Sequence, residues 1–195
     1  MARTKEFDED AVLLKAMVLF WDQGFEKTSM QDLVTRMGIH KGSLYDTFGD
    51  KQALYNRALK RYVELFEQAV KRPVKSRMAE THSAKEAIRM ILEMAIQKND
   101  EVPSGCFMVN TAVELAKQDA VSRDLVQMGW ETIEQFIHDI IVEGQQSGEI
   151  SREHNARRLS HFYNNALTGL RVMIKTSSDN DKLTSIIDIN MSVLD

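Results

Sequence analysis

Residues 24–54 read GFEKTSMQDLVTRMGIHKGSLYDTFGDKQAL, and this stretch decides how the rest of the chain is read. Two short helical patterns flank Gly38. The first follows Thr28 or Ser29, either of which can cap it, and presents Met30, Leu33, Val34 and Met37 at helical spacing. The second starts at His40 or Lys41 and runs to Phe48, with Leu44 and Phe48 four residues apart on its inner side. A tight turn between two helices needs a residue that tolerates unusual backbone angles, and Gly38 supplies it. Burying Leu44 and Phe48 leaves Lys41, Ser43, Tyr45 and Thr47 facing outward. These side chains are hydroxyl-bearing or cationic, suited to donating to phosphates and base edges in a major groove. The helix start at His40, Lys41 and Gly42 also offers unfilled backbone N–H groups to a phosphate.

Outward from this pair, the chain reads as helical throughout. A periodic stretch over 11–21, capped by Asp8 and ended by Gly24, precedes it. After it, Asp50 caps a long helix over 51–72, and Pro73 stands just beyond the expected end. Further helices are expected over 83–98, 105–117, 121–146, 151–176 (capped by Ser151) and 182–194, with a turn over 99–105. No strand alternation, internal repeat or low-complexity tract interrupts them. The expected fold class is all-α, about nine helices. It has a helix-turn-helix head over 1–50 and a body over 51–195 that carries the connecting helix, effector binding and dimerisation.

Composition narrows the function. Of 195 residues, 43% are hydrophobic and 28% charged, which is ordinary globular usage, and 2 Pro with 9 Gly leave few turns. No apolar run nears the ~20 residues a membrane span needs. The first ten residues are charged and lack the apolar core of a secretory signal, so the cytoplasm is the expected location. One cysteine, Cys106, excludes an internal disulfide and a Cys-based zinc site. The net charge is −4, yet 27–61 holds seven basic residues against three acidic ones, a local footprint for an anionic partner. No phosphate loop, nucleotide fingerprint or Gly-flanked nucleophile is present, so no enzyme chemistry or cofactor is expected. His82, His138, His154 and His161 lack tight metal spacing. A metal-responsive regulator and a helical interaction module without DNA binding stand as alternatives.

The segments Gly24–Ser29, Asp32–Val34, Gly38–Phe48 and Asp50–Leu54 together strongly resemble the TetR family of bacterial repressors. That resemblance implies a three-helix DNA-binding head, a connecting fourth helix, and a larger body that binds a ligand and dimerises through its last two helices. It implies a homodimer on a palindromic double-stranded DNA operator. Carried over by residue, Thr28 caps the second helix and touches phosphate, and Gln31 contacts a base. Lys41, Gly42, Ser43 and Thr47 face the groove, Tyr45 donates to a phosphate, and Lys51 holds one. Two residues depart from the family pattern. His40 stands where a serine cap is common. Asp46 stands where a histidine or neutral residue is common, and its carboxylate would repel phosphate but accept from a cytosine amino group.

In the body, Leu159, Phe162, Tyr163, Ala166, Leu167, Leu170, Met173 and Ile174, with Leu183, Ile186, Ile187, Asn190 and Leu194, exceed what one small core needs. Ala166 and Gly169 permit close helix approach. Tyr62, Phe66, Met90, Met94, Phe107, Trp130, Phe136 and Phe162 are candidate lining for an adaptable apolar pocket, or else ordinary core. Cys106 follows Pro103, Ser104 and Gly105 and opens a helix, where the positive dipole end makes a thiol more reactive. The Gly-Cys-Phe step resembles a TetR subgroup that senses oxidants or electrophiles through such a cysteine, accompanied by a lysine that Lys175 matches here. The plainer reading makes Cys106 a small buried hydrophobe.

Overall fold

A computed structural model describes residues 7–99 and 102–195. The charged N-terminal stretch falls largely on residues 1–6, and part of the expected 99–105 turn falls on 100–101, both outside the described residues. Among the described residues there are ten α-helices and no strand, so the all-α reading holds. They are α1 Glu9–Gln23, α2 Met30–Met37, α3 Lys41–Phe48, α4 Lys51–Phe66, α5 Arg72–Thr81, α6 Ala84–Ile96, α7 Phe107–Glu114, α8 Ala120–Ser147, α9 Ala156–Met173 and α10 Asn180–Met191. A π-helical turn, Glu67–Lys71, joins α4 to α5, and a 3₁₀ turn, Ser192–Leu194, follows α10.

Three local expectations change. The helix expected to stop before Pro73 instead continues as helical backbone through α4, the π turn and α5. A proline ring collides with the carbonyl four residues upstream in a regular α-helix. Here the wide turn lies immediately upstream and shifts the bonding, with Arg72 N–H reaching Glu67 O, so Pro73 sits tolerably in the first turn of α5. The cap of α9 is Asn155, not Ser151: its Oδ1 accepts from the N–H groups of Arg157 and Arg158. The cap of α2 is Ser29, not Thr28. Ser29 Oγ accepts from Asp32 N–H at 3.1 Å, and Asp32 Oδ2 accepts from Ser29 N–H at 2.9 Å, a reciprocal capping box. These bonds from Ser29 hold the Asp32 carboxyl below the usual carboxylate range. A depressed folded-state value means the box contributes above the unfolded value near 3.8 and is lost as pH falls through the folded one.

The chain packs as two compact units. The first takes residues 7–64, 102–103 and 107–126; the second takes 65–99, 104–106 and 127–195. The first unit is built around Tyr55. Phe20, Phe25 and Phe107 each meet its ring edge-on, at centroid separations of 4.9, 5.2 and 5.2 Å. Tyr62 packs edge-on against both Trp21 and Phe107. The hydroxyls of Tyr55 and Thr111 lie 2.8 Å apart and buried. Thr111 gives its own proton to Phe107 O, so Tyr55 is the donor of the pair. Burial pushes the Tyr55 phenol well above its ordinary range.

In the second unit α6 buries Ala84, Ala87, Ile88, Ile91, Leu92 and Ala95, a stripe with helical period. α9 buries Leu159, Tyr163, Leu167 and Leu170, and α10 buries Leu183, Ile187 and Met191. Tyr163 donates to Asn190 O at 2.8 Å and ties α9 to α10. Glu149, in the turn before α9, accepts from Ser83 Oγ and from the N–H groups of Ala84 and Lys85, completing the cap of α6.

Replacing Tyr55 by Phe keeps the ring packing and removes one buried hydrogen bond. Urea unfolding of Tyr55→Phe should show a loss of about 1 kcal/mol with native helix content retained. A loss near zero would mean that the hydroxyl pair contributes nothing net.

Candidate nucleic-acid interface and effector region

α2 and α3 form the helix-turn-helix. Gly38 takes a left-handed conformation, φ 72°, and its N–H closes α2 on Val34 O. Leu33, Met37, Ile39, Leu44 and Phe48 are buried, which fixes the inner faces of both helices. The outer face of α3 is then Lys41, Gly42, Tyr45 and Asp46, all exposed, with Ser43 and Thr47 half-buried at its margin. Tyr45 is 43% exposed, unusual for a large aromatic side chain, and the Lys41 ammonium stands 6.0 Å from its ring centre. His40 is the N-cap of α3 but its side chain makes no capping bond, so the first-turn N–H groups of α3 face outward without a side-chain acceptor from that residue. A Cβ on Gly42 would meet nothing within 4 Å, so the surface there is open to a large partner.

Neighbouring residues fix this face. Arg57 on α4 donates to Thr47 O at 2.9 Å, and its guanidinium lies 4.6 Å from the Phe48 ring centre. Lys51 is half-buried with its ammonium 4.3 Å from the Phe25 ring centre, at the start of α4. Gln31 is exposed on α2, its amide 3.5 Å from Thr35 Oγ1. Thr28 is fully buried and its hydroxyl donates to Gly24 O at 2.6 Å. The expected role of Thr28 as cap and phosphate ligand is therefore corrected: its side chain has no surface from which to meet a phosphate. Arg57 was not singled out by the sequence reading. Its only signal was membership of the basic 27–61 run, because its partners lie nine and ten residues upstream across a helix boundary.

In the second unit Cys106 directly precedes α7 and is 1% exposed. Arg171 on α9 donates from Nη1 toward its sulfur at 3.5 Å. Lys175 follows the end of α9, and its aliphatic stem lies across Gly105: a Cβ there would stand 2.9 Å from Lys175 Cδ and 3.1 Å from Arg171 O. The stem of Lys175, the lysine that the subgroup resemblance pairs with Cys106, thus lies against the residue before the cysteine. Arg171 is an addition. It sits one helical turn before Lys175, and that i, i+4 spacing was the available signal.

The aromatic and methionine candidates separate. Phe66 and Phe136 meet edge-on at 6.0 Å beside an open cleft of about 690 Å³ lined by Lys71, Met78, Met128, Phe136, Ile140 and Glu143. Met90, Met94 and Trp130 are half-buried on α6 and α8. Two candidates are corrected. Phe107 is fully buried in the Tyr55 cluster of the first unit and is core. Phe162 is 40% exposed on the outer face of α9, so it lines a surface and not an internal pocket. Among the described residues no three His, Cys, Asp or Glu side chains group to hold a metal ion, and no helix is long and apolar enough to cross a membrane.

Comparison with known proteins matches this geometry. A model of the "Bacterial regulatory proteins, tetR family" covers residues 12–58, and one of the "Tetracyclin repressor-like, C-terminal domain" covers 84–189. The chain is 32% identical over 198 residues to the uncharacterized HTH-type transcriptional regulator YezE of Bacillus subtilis (strain 168), covering 100% of both. It is 29% identical over 186 residues to the HTH-type transcriptional repressor ComR of Escherichia coli (strain K12), covering 94% of this chain and 87% of that one. A cysteine-substituted form of the TetR family transcriptional regulator CifR, complexed with a 26-base-pair double-strand operator DNA, superposes with TM-score 0.84 at 26% identity, covering 100% of both chains. With its helix-turn-helix, its all-helical body and both family models matched, the chain belongs to the TetR family of DNA-binding transcriptional regulators.

Proposed function

We propose that this chain is a homodimeric repressor that binds a palindromic operator through α3 and leaves it when the body takes up a small molecule or when Cys106 is modified. It works in the cytoplasm. The head is residues 1–50 and the body residues 51–195, with α4 connecting them. The observation that carries the DNA reading is the outer face of α3, where exposed Lys41, Gly42, Tyr45 and Asp46 adjoin N–H groups without a side-chain cap. The backbone N–H groups at the His40, Lys41 and Gly42 helix start, the Tyr45 hydroxyl and the Lys51 ammonium meet phosphates. Gln31, Lys41, Gly42, Ser43 and Thr47 face the groove with Asp46, which selects a cytosine amino group by accepting from it. The operator complex of CifR supports this reading.

An unpartnered apolar face supports the dimer. Phe162, Ala166, Gly169 and Met173 fall on one side of α9, Ile186 and Ile189 on one side of α10, and Val193 on the 3₁₀ turn that follows it; all are exposed or half-exposed. Ile189 is 72% exposed and Phe162 40%, and it is their place in one apolar patch shared by two helices that marks an interaction face. A second copy of the same face covers it with two-fold symmetry. Two recognition helices then stand about one DNA turn apart, roughly 34–36 Å.

For the effector, the contacts at residues 105 and 106 favour Cys106. The sulfur lies against Arg171, and Gly105 lies against Lys175. An adduct on a side chain 1% exposed has no room without displacing these neighbours.

Three measurements test the reading. Lys51→Ala should weaken binding to all DNA sequences and shallow the salt slope by about one unit; an unchanged slope removes Lys51 from the phosphate contacts. Phe162→Asp should sediment as a monomer at micromolar concentration where the wild type sediments as a dimer, because a charge buried unpaired in an interface costs several kcal/mol. A wild-type monomer sinks the dimer. Treatment with hypochlorite or N-ethylmaleimide should release wild type from its operator and leave Cys106→Ser bound, with Lys175→Ala altering reversibility. If both proteins respond alike, Cys106 is a packing residue and the effector is a reversible ligand of the body.

A further inference from the structure

The turn between α1 and α2 is held from outside the helix-turn-helix. Glu114, the last residue of α7, accepts the Phe25 N–H on one carboxylate oxygen at 2.9 Å and the Glu26 N–H on the other at 2.8 Å. Two successive backbone amides converging on one carboxylate form a small anion nest, and charge-assisted bonds of this kind are stronger than neutral ones. The preceding residue has to be glycine for the carboxylate to fit. Gly24 has φ +84°, and a Cβ there would stand 2.9 Å from one Glu114 oxygen and 3.1 Å from the other. Gly24 O in turn accepts from the buried Thr28 hydroxyl, and Thr28 is followed at once by Ser29, the cap of α2. A continuous set of bonds thus runs from Glu114 through the turn to the start of α2, and α2 is joined to α3 by the three residues around Gly38.

Glu114 does not act alone. Asn110 donates to Trp21 O at 3.1 Å near the end of α1. Tyr55 donates to Thr111, Gln52 to Asp119 Oδ2 at 3.1 Å, and Ser122 to Asn56 Oδ1 at 2.9 Å, all linking α7 and the start of α8 to α4. Residues 107–126 therefore fold within the same compact unit as the helix-turn-helix. α7 is also the helix whose first residue follows Cys106 in the chain.

We propose that Glu114 is a positioning residue of the DNA-binding unit. It sets the α1–α2 turn, and so the placement of α2 and α3, and a displacement of α7 is transmitted to the recognition helix through it. The proposal rests on the reading of α3 as the operator-binding helix and adds the device that controls its position. Glu114 lies on α7 rather than on the α3 face, so its removal should spoil fit without removing phosphate contacts.

The test is Glu114→Gln, which keeps size but leaves one acceptor oxygen and turns an NH₂ toward a backbone N–H. Affinity for the operator should fall about tenfold, while affinity and salt slope on non-specific DNA stay the same, so the specificity ratio drops. Hydrogen exchange at the Phe25 and Glu26 amides should quicken at least tenfold, with the Tyr55 region unchanged. A residue that only stabilised the fold would lower specific and non-specific binding together. A Glu114→Gln protein with unchanged specificity ratio and unchanged amide protection overturns the proposal. If the variant fails to fold, exchange in the wild type decides: slow Phe25 and Glu26 amides support the clamp, and amides exchanging at open-loop rates overturn it. Failure of the wild type to prefer its operator over non-specific DNA would instead overturn the DNA-binding reading itself.

Discussion

An eight-residue helix does not hold itself together in water, and the proposed operator contacts centre on one such helix, α3. α3 has no side-chain N-cap, no acidic residue in its first turn and no basic residue in its last. Its stability comes from burying Leu44 and Phe48, and from Arg57, which bonds Thr47 O and covers the Phe48 ring. This division of labour has a functional consequence. Because packing on the inner side and an arginine at the C-terminal end hold the helix, its N-terminal N–H groups and outer side chains are left for a partner. A conventional serine cap in place of His40 would stabilise α3 but would occupy N–H groups that a phosphate can use.

The same economy governs the rest of the first unit. The ring cluster about Tyr55 draws Phe20 from α1, Phe25 from the α1–α2 turn and Phe107 from α7 onto one residue of α4. Aromatic rings contribute large buried areas, but their edge-to-face geometry also fixes orientation. Lys51 adds to this by standing over the Phe25 ring at the helix start where the chain leaves the recognition helix. The turn that Glu114 grips from its backbone is therefore also gripped from its side chain. Three helices separated in sequence, α1, α4 and α7, converge on residues 24–26, which is why a short loop can carry positional information.

Much of the fold was legible in the chain because it is written locally. Glycines at 24 and 38 mark the observed helix ends, and the 3.6-residue period of Leu33, Met37, Leu44 and Phe48 marks their buried sides. The failures share a cause. Thr28 and Ser29 are both good caps, and only the buried bond of Thr28 to Gly24 O decides between them. Pro73 reads as a stop unless the π turn that accommodates it is known. Phe107 and Phe162 both read as pocket aromatics, yet one is sealed in a core and the other faces outward, a difference set by tertiary packing. Arg57 is visible only as one charge of the basic 27–61 run, and Glu114 and Arg171 carry no local signal of their partners. Glu114 acts on amides 88 and 89 residues away, and Arg171 on a sulfur 65 residues away, distances over which no periodicity speaks.

The proposed release through Cys106 has to meet a thermodynamic condition. An effector shifts an equilibrium only as far as its affinity differs between the two states. A ligand in a wide, open cleft can satisfy both states nearly equally, and the cleft beside Phe136 is open and of mixed polarity. The surroundings of Cys106 are the opposite. The side chain is 1% exposed, Arg171 reaches its sulfur, and the backbone beside it is so closely covered by Lys175 that a single added methyl on residue 105 would stand 2.9 Å from the lysine stem. Close-packed interiors do not absorb extra atoms without moving something. Added atoms on the sulfur are thus penalised in the packed state and relieved in any state where α7 or α9 has shifted. That is the kind of difference in interaction free energy that the proposed release through Cys106 requires. Phe107, the next residue in the chain, is part of the Tyr55 cluster.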